Sequence, residues 1–124
     1  MRCFRAEDIE LTALDMHIDW RSLQRLSEGN AKFELDLLKI FVQDSFKHLA
    51  LLDSAIEKRQ FDEIEQIAHH LKGASANVGA FVMRDAAHEL ERQSRRRSLD
   101  EPELLITAIR ESLSYIQAFI QTGA

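Results

Sequence analysis

The chemistry-bearing residues of the chain are concentrated in one run, Ala68-His69-His70-Leu71-Lys72-Gly73-Ala74-Ser75-Ala76-Asn77-Val78-Gly79-Ala80. It holds two of the five histidines and two of the four glycines. Near neutral pH an imidazole is a nucleophile with a usable unprotonated fraction, and it can carry a covalent phosphoryl group. An ammonium three residues further along a helix, here Lys72, lies within reach of an anion attached to His69. Gly73 inside a helix costs about 1 kcal/mol relative to Ala, so something must come close to the backbone there, either a neighbouring helix or a partner.

A helical wheel separates those two possibilities. Ile64, Ile67, Ala68, Leu71, Ser75 and Val78 cluster on one side, and at roughly 100° per residue His69 points roughly 150° from their mean direction. His69 is therefore expected to face solvent, with Gly73 and Ala76 extending the same outward strip. That is an imidazole beside a patch with little side-chain bulk, which suits approach by another macromolecule. Glu65, one turn before His69, is expected to orient the ring or favour its protonated form. His70 turns about 100° further round, toward a shoulder of the helix, where a packing or interface role is expected.

The elements that must hold this strip are helices. One proline and four glycines leave out the punctuation of a β-rich chain. Phe33, Leu37, Leu38, Phe41, Val42, Leu49, Leu52 and Ile56 recur at helical spacing over about 31–59, with Gly29 and Asn30 as the break and cap before them. Ile18, Leu23 and Leu26 mark a short first helix over about 18–28. The histidine run falls in a helix over about 62–78, and Phe81, Met83, Ala87 and Leu90 mark another over about 80–97. Leu104, Leu105, Ala108, Ile109, Leu113, Ile116, Phe119 and Ile120 mark a last one over about 101–121, with Asp100 and Glu103 resembling a capping box around Pro102. These expectations describe an all-α chain: an antiparallel up-down four-helix bundle with a short additional N-terminal helix, one domain over 1–124. One reading of the basic run Arg92, Arg95, Arg96 and Arg97 is a solvated helix end whose cations complement the C-terminal dipole.

Composition narrows the function classes. In 124 residues, 16 Lys+Arg against 21 Asp+Glu give a net charge of −5, which argues against a general nucleic-acid binder. No apolar run approaches the roughly 18–20 residues of a bilayer span, and the start, MRCFRAEDIELTALD, breaks into charge before a leader-like core forms. A cytoplasmic protein without membrane insertion is expected. The lone Cys3 allows no intrachain disulfide. Met1 and the ending Gly123-Ala124 favour a stand-alone protein.

The run from Ala68 to Ala80 resembles the Ala-His-x-Leu-Lys-Gly-x-Ser-x-Asn-x-Gly-Ala signature of the histidine-containing phosphotransfer (HPt) domains of multistep two-component phosphorelays. The likeness extends more loosely to Leu90-Glu91, Phe41 and Leu49. The resemblance implies an up-down four-helix bundle, with His69 accepting a phosphoryl group and His70 in the variable position. It further implies that Lys72 interacts with the phosphate, that Gly73 leaves room for a receiver domain, and that Arg95 lies where some members carry a basic residue. The residues expected to meet the partner are Gly73, Ala76, His70, Glu65, Gln66 and Arg95. The implied partners are response-regulator receiver domains and a hybrid sensor histidine kinase. No cofactor is expected on this chain, and Mg²⁺ would come from the receiver.

The expected reaction moves a phosphoryl group from a receiver aspartate to His69 and on to a second receiver. No glycine-rich phosphate loop or kinase box is present, so independent kinase activity is not expected. Two other readings compete with this one. A non-catalytic adaptor would have lost the histidine, lysine or glycine of the signature, and all three are present. A metal-binding bundle could draw on His17, His48, His69, His70 and His88, but Glu-x-x-His and HExxH are absent, and His69 and His70 diverge too far to chelate one ion easily.

Overall fold

The computed structural model describes residues 17–122, which form five helices. They are α1 (Trp20–Ser27), α2 (Ala31–Glu57), α3 (Phe61–Val78), α4 (Phe81–Arg95) and α5 (Pro102–Thr122), with no strand among the described residues. Cys3, the charged N-terminal stretch and Gly123-Ala124 lie outside them. The four long helices contact one another in a closed ring: α2 with α3, α3 with α4, α4 with α5, and α5 back to α2. The described residues thus form an all-helical domain, and α1 leans on α2 and α3.

Local chemistry sets the helix ends. Asp19 and Asn30 cap α1 and α2, accepting from the backbone N–H of Arg21 and Phe33. Arg59 and Arg97, at φ 55° and 57°, take the left-handed turn that stops α2 and α4 short of the extents expected from periodicity. The helix α5 starts at Pro102, so Asp100 lies too early to cap it; its own N–H is held by Gln93 Oε1 at 2.9 Å.

The interior is filled by Leu38, Leu49 and Leu52 of α2, Ile64, Ala68 and Leu71 of α3, Met83, Ala87 and Leu90 of α4, and Ile109, Leu113 and Ile116 of α5. Leu26, Phe33 and Leu104 were expected on the apolar stripes, but they are exposed. Each sits in a terminal turn of its helix, where the apolar period runs on past the packed layers. No helix of the described residues is long and apolar enough to cross a membrane.

Gly79 fixes the end of α3 and with it the start of α4. It takes φ 81°, and the N–H of Ala80 returns to Ser75 O at 2.8 Å, closing the helix. The chain before α1 lies directly against it: Asp19 N–H donates to Gly79 O at 2.6 Å, and a Cβ on Gly79 would stand 2.6 Å from Asp19 O. Gly79→Ala therefore meets both the left-handed penalty and a backbone clash. A loss of roughly 1–2 kcal/mol is expected, read as a lower thermal melting midpoint.

Candidate functional site

On α3 the apolar stripe of Ile64, Ala68 and Leu71 turns inward and carries His69 to the opposite side, where its side chain is 69% exposed. Gly73 lies one turn on, and nothing stands within 4 Å of where its Cβ would be. Among the described residues no helix packs against that glycine, so packing between these helices does not explain its place in the helix. Ala76 is half-buried further along the strip.

The contact that fixes the His69 ring comes from α4. His69 Nδ1–H donates to Glu91 Oε2 at 2.7 Å, while Lys72 Nζ donates to Glu91 Oε1 at 2.6 Å. The Glu91 side chain is only 3% exposed. A buried carboxylate is costly unless charge and hydrogen bonds compensate it, and here each oxygen meets a donor. Burial pushes the Glu91 carboxyl up, but hydrogen bonds and charge from Lys72 and His69 outweigh it and hold the group below its ordinary value. An ionised carboxylate only accepts, so it keeps the proton on Nδ1 and leaves the Nε2 lone pair bare. Among the described residues Nε2 has no partner.

The expectation that Glu65 orients the ring is corrected. Glu65 Oε2 instead accepts from Arg95 Nε at 2.8 Å, and Arg95 Nη2 reaches Glu91 Oε2 at 3.4 Å. Arg95 thereby joins the same group of charges as His69 and Lys72. Around them is an open hollow of about 650 Å³, lined also by Asp62 and Gln66. Its carboxylates are already paired: Asp62 with Arg97, Glu65 with Arg95, and Glu91 with Lys72. That donor set does not suit a hard cation such as Mg²⁺, which needs several free oxygen ligands. His70 turns away from the hollow, and its Nε2 is hydrogen-bonded to Asp44 Oδ2 of α2 at 2.8 Å.

The family model described as Hpt domain matches residues 36–119, two-thirds of the chain and all of this geometry. The chain belongs to the histidine-containing phosphotransfer (Hpt) domain family. It is similar to the crystal structure of histidine-containing phosphotransfer protein B (HptB) from Pseudomonas aeruginosa PAO1. The two share 29% sequence identity at a TM-score of 0.78, over 86% of this chain and 93% of that one. No curated protein matches the sequence. Membership gives this Hpt domain a general phosphotransfer role in a two-component relay.

Sequence reasoning missed what Glu91 does in this Hpt domain. The signal was there: Met83, Ala87, Leu90 and Ser94 trace the buried stripe of α4, and Glu91 falls beside it. A glutamate on an inward stripe has to find donors, and the nearest are those of the facing helix α3. Also unread was the neighbourhood of His70, since Asp44 and His48 lie on a different helix, more than 20 residues earlier.

Proposed function

We propose that His69 is the phosphoacceptor of this Hpt domain and that Nε2 is the atom that attacks. The observation carrying this reading is the Nδ1 hydrogen bond to buried, ionised Glu91, which leaves Nε2 nucleophilic and facing solvent. The partner is the aspartyl phosphate of a response-regulator receiver domain. As Nε2 bonds to phosphorus in line, the bond from phosphorus to the aspartyl oxygen breaks and the receiver carboxylate leaves with its electron pair. The ring keeps its Nδ1 proton and becomes cationic, and Glu91 is placed to stabilise that charge. Transfer to a second receiver runs the same step in reverse.

Lys72 first compensates Glu91 and is near enough along α3 to meet the phosphoryl oxygens; Arg95 supplies a second cation beside the hollow. The receiver supplies the Mg²⁺ that such a transfer needs. We read the four long helices as an antiparallel up-down bundle acting in the cytoplasm, phosphorylated from a hybrid sensor histidine kinase through its receiver. Gly73, Ala76, Gln66 and Glu65 lie around the nucleophile where the receiver would seat, and His70 lies on the adjoining flank of α3 at the edge of that surface.

The test is transfer from a phosphorylated receiver with Mg²⁺, scored as acid-labile, alkali-stable phosphate on this chain. Binding without transfer would favour an adaptor instead. Gly73→Gln separates docking from chemistry. Its side chain enters open space, so the variant is expected to melt no lower than wild type, since Gly is the poorer helix former. Transfer is expected to slow about tenfold or more because the new side chain stands where the receiver approaches. Unimpeded transfer in this variant would show that the receiver seats elsewhere.

A further inference from the structure

On the flank of α3 away from Glu91, His70 meets two side chains of α2. Asp44 and His48 lie one helical turn apart there, and His70 Nε2 is 2.8 Å from Asp44 Oδ2 while His48 Nδ1 is 3.4 Å from it. The two imidazole rings stack at 3.9 Å between centroids with 19° between their planes. One ligand atom from each of the three residues lies within 4.8 Å of the other two. The structure assigns to Asp44, His48 and His70 a binding site for a divalent transition metal of the zinc type, separate from the phosphoacceptor hollow.

The ligand set decides the class of ion. Two imidazoles and one carboxylate suit zinc or its borderline neighbours, whereas Mg²⁺ and Ca²⁺ require mostly oxygen ligands. Around a tetrahedral zinc with bonds of about 2.0–2.1 Å, neighbouring ligand atoms stand about 3.3 Å apart; His48 Nδ1 at 3.4 Å from Asp44 Oδ2 is close to that edge, while His70 Nε2 at 2.8 Å is at hydrogen-bond distance and must move apart as the ion enters. His48 Nδ1 also donates to Asp44 O at 2.9 Å, so to ligate it exchanges that hydrogen bond and its proton for the metal. The rings as they stack share no common in-plane point, so binding requires rotation about their terminal torsions. Both rings reach solvent, which gives them that freedom: the side chains of His48 and His70 are 25% and 47% exposed. Three protein ligands leave a fourth position for water. The ion would tie α2 to α3 on the side of His70, while the His69 ring is turned to Glu91 of α4.

The five histidines do not all converge. His17 is held by Ser112 Oγ at 2.7 Å and stacks on Tyr115 at 4.6 Å, and His88 lies 3.7 Å from Glu91. His88 serves as an internal control.

The experiment titrates untagged protein with Zn²⁺ by calorimetry and with Co²⁺ by visible absorption, where tetrahedral ligation gives an intense band. Saturable one-to-one binding is expected, weakened at least about tenfold by His48→Ala, by His70→Asn and by Asp44→Asn. All three positions reach solvent, and unchanged circular dichroism checks that the variants are folded. His69→Gln and His88→Ala are expected to bind as wild type does. Absence of saturable binding to wild type, binding that survives all three substitutions, or loss on His69→Gln would each overturn the assignment. None of these readouts depends on phosphotransfer, so failure of one proposal leaves the other standing.

Discussion

His69→Gln is expected to lose phosphoryl acceptance by at least about 10³-fold, with helicity and melting midpoint unchanged. An amide nitrogen has no lone pair available for attack on phosphorus, because it is delocalised into the carbonyl. The same amide can still donate to Glu91 Oε2, so the buried carboxylate keeps a partner. The His69 side chain is mostly solvated, and substitutions at such positions usually stay within about 0.5 kcal/mol. A large functional loss without a stability loss distinguishes a nucleophile from a residue that merely supports the fold. Phosphate labelling of His69→Gln at the wild-type level, or its loss on His70→Gln instead, would refute the placement. The structure gives a reason to expect the first pattern: His70 Nε2 is occupied by Asp44, whereas His69 Nε2 meets no described residue.

What the sequence could reveal follows from what each helix can show by itself. His69, Gly73 and Ala76 lie on a single helix, and a period of 3.6 residues places them on one outward strip without knowledge of any neighbour. The terminal turns were less legible. Phe33 and Leu104 fit the apolar period as well as Leu38 and Ile109, and only the lengths of the packed partners leave them in water. Contacts between helices were the least legible. Glu65 was the natural partner for His69 along α3, but the i,i+4 rule speaks only of neighbours on one helix. It cannot weigh Glu65 against a residue 22 positions away that the turn at Gly79 brings to 2.7 Å. The same limit hid Asp44 and His48, whose meeting with His70 depends on how α2 lies against α3.

Glu91→Gln tests that cross-helix contact, and two losses are expected from it. The first is stability. Glu91 offers two acceptor oxygens to His69 and Lys72, with Arg95 more distant at 3.4 Å, whereas the amide offers one acceptor and an NH₂ group. Either His69 Nδ1–H or the Lys72 ammonium then faces a donor, at a position only 3% exposed to water. A loss of roughly 1–3 kcal/mol is expected, or a melting midpoint lower by roughly 4–12 °C for a domain of this size. The second is chemistry. Where the NH₂ turns toward His69, Nδ1 becomes the acceptor, the proton moves to Nε2 and the nucleophilic lone pair is lost. Transfer is expected to slow about 10–100-fold, with the receiver still bound. The pH dependence gives an independent readout. Glu91 is held below its ordinary 4.5 in the folded chain, so the native state binds fewer protons than the unfolded one as that range is crossed. Its contribution is fully present above pH 4.5 and fades as pH falls through the lowered folded value. The stability gap between wild type and Glu91→Gln is therefore expected to narrow in acid. A gap that stayed level into acid would mean that the Glu91 charge contributes nothing to the fold. A variant that transferred at the wild-type rate would mean that the His69 tautomer does not depend on Glu91.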